Sequence, residues 1–159
     1  MRDVVIVDSV RTGLAKSHRG SFNQTRPDDL AAFCIDALLA RNPQLSPDQV
    51  EDVIVGSASQ IGAQAGNMAR FAVSLSQLPL TVPATTISRA CSSGLNSIAM
   101  AATQIASGYA DAIIAGGSES ITFTRPMGAS MADSVKLNQK IVDEKPEMYM
   151  AMGETAEIV

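Results

Sequence analysis

From Cys91 to Ser107 the sequence runs without a single charged residue, and this segment constrains the fold more than any other. Leu95, Ile98, Ala99, Ala101, Ala102, Ile105 and Ala106 leave it almost no polar face. A helix that is apolar all round is buried on more than one side, so the fold must supply two apolar surfaces to cover it. Gly108 follows as a C-cap, and Asp111-Ala112-Ile113-Ile114-Ala115 then reads as a strand ending at Gly116-Gly117.

The flanking segments alternate in the same way. Asp3 to Asp8 is a β-branched run of the kind found in strands buried on both faces. Pro27-Asp28-Asp29 opens a helix, with proline suited to the first turn and carboxylates to the positive end of the dipole. Leu30, Phe33, Cys34, Ala37 and Leu38 form its apolar stripe, and Asn42-Pro43 ends it. Val53-Ile54-Val55 predicts a second strand, Asn67 to Gln77 a second helix carrying Met68, Phe71, Ala72 and Leu75, and Ala84 to Ser88 a third strand. Strand and helix in strict alternation predict an α/β class with a mostly parallel sheet. From Thr122 the period is lost amid prolines, glycine and five methionines from Met127 to Met152. Residues 1–121 are therefore expected to form the α/β domain and 122–159 an excursion from it.

Sixteen acidic against twelve basic residues give a charge of −4, which excludes a general electrostatic pull toward nucleic acid or anionic membrane. The opening apolar run is too short and too acid-flanked for a signal peptide, and no stretch approaches the length of a membrane span. Two cysteines without a CxxC, and one histidine, argue against a disulfide scaffold or a Cys/His metal site. The expected location is a reducing cytoplasm. Gly116-Gly117 lacks the P-loop pattern, which disfavours nucleotide hydrolysis.

Cys91 stands where the third strand meets the charge-free helix, in Arg89-Ala90-Cys91-Ser92-Ser93-Gly94. Unpaired amides and the helix dipole stabilise negative charge at such a junction, and the thiolate is the nucleophilic form of cysteine. The same amides can hold an oxyanion, which makes Ser92 and Gly94 candidate supports. A small buried cysteine packed as a hydrophobe would fit the same pattern. Glu119 follows two glycines at the end of a strand, where ligands gather in α/β sheets, and is read as a second support or as a carboxylate that ties loops together.

Five ordered motifs resemble the N-terminal part of the thiolase family: Val5-Ile6-Val7-Asp8-Ser9-Val10-Arg11-Thr12, Gln64 to Arg70, Arg89 to Gly94, Ala115 to Ser120, and Met152 to Glu157. The resemblance covers essentially the whole chain. It implies a layered thiolase-like fold of two similar halves, with the nucleophile helix buried between two sheets and only the first half present here. Cys91 would then accept the acyl group of a 3-ketoacyl-CoA, and coenzyme A would remove it, in degradative fatty acid metabolism (β-oxidation) or in the reverse Claisen condensation. CoA and acyl-CoA are substrates, with no permanently bound cofactor and no metal. Met152 matches a residue near the acyl or pantetheine pocket, and the full-length form would be a homodimer or homotetramer joined through the strand before the nucleophile.

The resemblance also exposes departures. The family's Gly-His-Pro, Cys-x-Gly and Asn-Glu-Ala-Phe segments are absent from these 159 residues. His18 and Cys34 stand outside any such motif and are read as structural or solvent-exposed. Ser88 replaces the family's usual Asn. The chain is therefore expected to be an incomplete, inactive piece that exposes apolar surface. Two alternatives remain: another condensing enzyme of this superfold, a ketoacyl synthase or hydroxymethylglutaryl-CoA synthase, and a non-catalytic binding or assembly module.

Overall fold

A computed structural model describes residues 2–129 and 135–159. The chain divides into two units, Met1–Thr124 and Arg125–Val159. In the first, three parallel strands form one sheet: β1 (Asp52–Gly56), β2 (Ala84–Ile87) and β3 (Ile113–Gly117), in the order β2-β1-β3. Val53 lies opposite Ala84 and Ile114, and Gly56 opposite Ile87 and Gly117. The central strand is buried from Val53 to Gly56, which is why it is continuously apolar rather than alternating.

One face of the sheet carries α1 (Pro27–Arg41) and α2 (Met68–Leu75). Val53 and Val55 enter the same core as Ala32, Ile35 and Leu39 of α1 and Met68, Ala69, Ala72 and Val73 of α2. Ile54 points the other way, as strand alternation requires. Pro27 begins α1 as expected. The Arg26 guanidinium donates to both oxygens of Asp28, at 3.0 and 2.9 Å, which provides the buried carboxylate with its countercharge.

The buried stripe of α1 differs from the expected one. Ala32, Ile35 and Leu39 face the core, whereas Phe33 is exposed and Cys34 half-buried. The helix is apolar on two sides, and the side carrying alanine wins because it allows close approach to Ala69 and Ala72. In α2, likewise, Met68 and Ala72 are buried but Phe71 and Leu75 are exposed.

Polar clamps fasten α2 to β2. The Asn67 side chain caps the helix by accepting from the Arg70 amide at 3.2 Å, accepts from the Thr86 hydroxyl at 2.8 Å and donates to the Ala84 carbonyl at 2.8 Å. Arg70 donates to the Val82 and Leu80 carbonyls, each at 2.7 Å. The Asn-x-Ala-Arg spacing is thus a structural device that anchors the approach to β2.

The opposite face carries α3 (Ser93–Ser107), which presents Ser93, Ser97 and Ala101 to the strands. The Ser97 hydroxyl lies 2.7 Å from the carbonyls of Gly94 and Gly116. This contact needs glycine on the sheet. A Cβ at Gly56 would overlap the Ser93 carbonyl, and one at Gly117 would lie 3.2 Å from the Gly94 Cα. The outer face of α3 is open, with Leu95 72% exposed and Ile98 and Met100 also exposed.

The first expected strand does not form. Val5, Ile6 and Val7 are 75–77% exposed and pair with no strand. The segment is instead held at its ends. Arg2 pairs with Asp111 and donates to the Ala110 carbonyl, while Asp8 accepts from Arg41 and Asn42. A β-branched run makes a strand only where an unpaired edge meets it, and here neither edge does.

A short α4 (Ile121–Thr124) ends the first unit. The second contains α5 (Gln139–Glu144), a 3-10 turn (Pro146–Tyr149) and α6 (Met152–Ile158), the last as the sequence predicts. Met131 lies outside the described residues.

Candidate functional site

The site is built at the end of β2. After Ile87 the chain turns through Ser88, Arg89, Ala90, Cys91 and Ser92 before α3 begins. Ala90 sits at φ +47°, a left-handed conformation costly for a residue with a Cβ. Hydrogen bonds hold it there. The Ser93 hydroxyl donates to the Ala90 carbonyl at 2.6 Å and accepts from the Arg89 amide at 2.8 Å. The Ser92 and Ser93 amides donate to the Arg89 and Ala90 carbonyls, and the Arg89 side chain reaches Asn96 at 2.7 Å.

Cys91 is presented, exposed, at the tip of this pinned turn. Ser92 closes the turn with both its amide and its hydroxyl directed to the Arg89 carbonyl. Among the described residues, the Gly94 and Leu95 amides have no hydrogen-bond acceptor, which leaves two donors at the start of α3. Gly94 also lies against Gly117, so it sets how closely the first turn approaches β3.

Glu119 commits both carboxylate oxygens to the loops around the strand ends. One accepts from the Ala58 amide at 2.6 Å and the other from the Gln64 carboxamide at 2.7 Å. Ser88, the departure from the family pattern, donates to the Ala58 carbonyl at 3.3 Å. Gln64 opens one of the motifs that carry the resemblance but was not named as a site residue. It is fully buried at the centre of this lattice, and its place at the head of that motif was the one signal in the sequence that sets it apart from Gln60.

Cys34 and His18 lie elsewhere in the first unit. Cys34 is half-buried on α1, and burial pushes its thiol pKa up, with a backbone hydrogen bond from Thr12 acting against that shift. His18 lies in the Ser9–Arg26 loop at φ +63°, where its amide donates to the Thr122 hydroxyl at 3.0 Å. Met152 opens α6 in the second unit and is exposed. Among the described residues, no helix is long and apolar enough to cross a membrane.

An exposed cysteine at a strand-to-helix turn, on a parallel α/β sheet, defines a class that comparison with known proteins narrows. Residues 4–159 match the family described as thiolase, N-terminal domain. Over its full length the chain is 43% identical to a 3-ketoacyl-CoA thiolase of Bacillus subtilis and covers 39% of that protein. It is 42% identical over 143 residues to a beta-ketoadipyl-CoA thiolase of Acinetobacter baylyi, covering 90% of this chain and 35% of the relative. It is also 44% identical over 118 residues to a 3-ketoacyl-CoA thiolase of Saccharophagus degradans, covering 74% of this chain and 30% of the relative. The chain belongs to the thiolase family, and it spans about two-fifths of the length of the curated relatives it matches.

Proposed function

We propose that this chain carries the nucleophile of a CoA-dependent thiolase, and that Cys91 is the acyl acceptor. The observation that carries the reading is the exposed Cys91 on a pinned turn, beside two amides without acceptors at the head of α3. The Cys91 thiolate attacks the keto carbon of a 3-ketoacyl-CoA. The bond to the adjacent methylene carbon then breaks, its electron pair leaves on acetyl-CoA as an enolate, and that enolate takes up a proton. The acyl group remains as a thioester on Cys91. The thiol of coenzyme A next loses its proton and attacks this thioester, forming the shortened acyl-CoA and freeing the Cys91 thiolate.

Support for these steps divides among named residues. The Gly94 amide is available to a developing oxyanion, Ser92 closes the turn, and Glu119 braces the loops behind it. We place the acid/base groups that the reaction also needs outside these 159 residues, since the relatives are more than twice as long and the motifs that carry those groups are absent here. The same reasoning assigns the open face of α3 to the second half of the fold. It also assigns the free edge of β2 to a subunit contact in a homodimer or homotetramer, and Met152 to the acyl or pantetheine pocket. A cytoplasmic, fatty-acid-degrading role with CoA and acyl-CoA as substrates is the corresponding cellular reading.

In the protein that carries this chain, Cys91→Ala should abolish CoA-dependent cleavage of a 3-ketoacyl-CoA, while Cys34→Ala leaves it within about twofold, as expected for a residue away from the chemistry. Retained turnover in Cys91→Ala overturns the assignment. The alternative of a binding or assembly module without turnover is separated from this reading by the same assay. It predicts acyl-CoA binding with no cleavage in the unsubstituted protein.

A further inference from the structure

We propose that Gln64 is a positioning residue for Cys91, acting through the loops that follow β1 and β3. The inference rests on the reading of Cys91 as the nucleophile. The Gln64 carboxamide is buried and uses both of its ends. Its nitrogen donates toward the Ser57 hydroxyl at 3.0 Å, the Ser59 carbonyl at 2.7 Å and Glu119 at 2.7 Å. Its oxygen accepts from the Ser120 amide at 2.5 Å. The Gln64 and Glu119 side chains together join the loop after β1 to the loop after β3.

The lattice extends to the nucleophile turn along a short path. The Ser57 amide donates to the Ile87 carbonyl at 2.9 Å, and the Ala58 carbonyl accepts from Ser88. The Ala58 amide is held by Glu119, which Gln64 in turn holds. Ile87 and Ser88 are the residues from which the Arg89-Ala90-Cys91 turn departs, and Ala90 is in a conformation that persists only when its surroundings fix it. Removing the carboxamide frees two loops at once and relaxes the base of that turn. Burying a half-satisfied polar group is costly, so a residue with this many partners holds one geometry.

The substitutions are Gln64→Ala, Gln64→Glu and the swap Gln64→Glu/Glu119→Gln, each made in the protein that carries this chain. Gln64→Glu sets a second carboxylate against Glu119 and against the Ser59 carbonyl, and the swap restores a donor and an acceptor across the Glu119 contact alone. The probe is iodoacetamide near pH 7, with peptide mapping that reports the alkylation rates of Cys91 and Cys34 separately. Both single variants should slow alkylation of Cys91 near pH 7 by about tenfold, because a displaced turn misplaces the thiol it presents. Cys34 should be unchanged, and the swap should recover part of the Cys91 rate. An unchanged Cys91 rate overturns the proposal, and so does a parallel change at Cys34, which marks general loosening. If Gln64→Ala does not fold, Gln64→Glu and the swap give the same decision. Incubating the unsubstituted protein with acyl-CoA tests the nucleophile reading separately, because alkylation requires no acyl transfer.

Discussion

The two faces of the sheet are covered by helices of similar apolar character, yet only one cover is complete. On one face α1 lies over α2 and Met68, Ala69, Ala72 and Val73 are fully buried. On the other, α3 buries a narrow stripe of Ser93, Ser97 and Ala101 and leaves Leu95, Ile98 and Met100 exposed. The contrast teaches that the first face is a finished core, whereas α3 is held by close backbone approach and side-chain hydroxyls, with its second apolar face unused within this chain. The nucleophile candidate stands at the head of the less covered helix.

The sharpest way to break this contrast is to truncate one large side chain on each face. Met68→Ala should cost about 2–5 kcal/mol, because a fully buried side chain leaves a cavity that its neighbours fill only partly. Leu95→Gln should stay within about 0.5 kcal/mol in this chain and reduce binding of an apolar dye. Urea denaturation of both variants reads the difference, and equal costs would show that the faces are not distinct.

Where α3 touches the sheet, the tolerance of its outer face should vanish. Gly56→Ala places a methyl group against the Ser93 carbonyl, and overpacking of that kind costs about 1–3 kcal/mol. Gly117→Ala meets its neighbours at 3.1–3.2 Å and should cost less. If the denaturation midpoint of Gly56→Ala matches that of the unsubstituted chain, α3 does not lie as close as described.

A smaller effect tests the clamp on the finished face. Asn67→Ala removes the cap of α2 and its bonds to Thr86 and the Ala84 carbonyl, with an expected loss of about 1–2 kcal/mol. Amide exchange should then quicken at Ala69, whose amide donates to Thr86, before it quickens in α3. Exchange that quickens first in α3 would assign the clamp to the other face.

The smallest expected effect concerns pH. Burial raises the Asp52 pKa at the start of β1, opposed by a hydrogen bond from the Val53 amide. A raised folded pKa means that the folded chain binds this proton more tightly than the unfolded chain. The contribution to stability is therefore greatest below the unfolded carboxylate pKa of about 3.9 and is lost as pH rises through the folded value. Asp52→Asn should flatten the stability profile just above that acid range and slightly stabilise the neutral protein, which thermal melts against pH can read. A slope that is unchanged in Asp52→Asn would remove Asp52 as its source.

Much of this arrangement was legible in the residues. The continuous Val53-Ile54-Val55 run read correctly as a strand, though not as the central one, and Gly108 ends α3 in the left-handed conformation at φ +82° that its C-cap reading implies. Two kinds of feature were not legible. The Val4-Val5-Ile6-Val7 run has every local mark of a buried strand, but pairing depends on which edge the fold brings near, and that is not encoded in the run itself. Choosing between the two apolar stripes of α1 likewise required its packing partner, because small residues in α2 select the side bearing Ala32. At the candidate site, the position of Cys91 was readable from the junction it occupies. The role of Gln64 was not, since its partners lie 5 to 56 residues away and no local pattern announces them.

The central claim is that Cys91 accepts the acyl group, and intact-mass analysis followed by peptide mapping tests it most directly. After the protein carrying this chain is incubated with a 3-ketoacyl-CoA in the absence of free coenzyme A, the mass should rise by one acyl group, mapped to Cys91 and removed by hydroxylamine. The adduct should be absent from Cys91→Ala and present in Cys34→Ala. An acyl group found on Cys34, or one that persists in Cys91→Ala, would contradict the account.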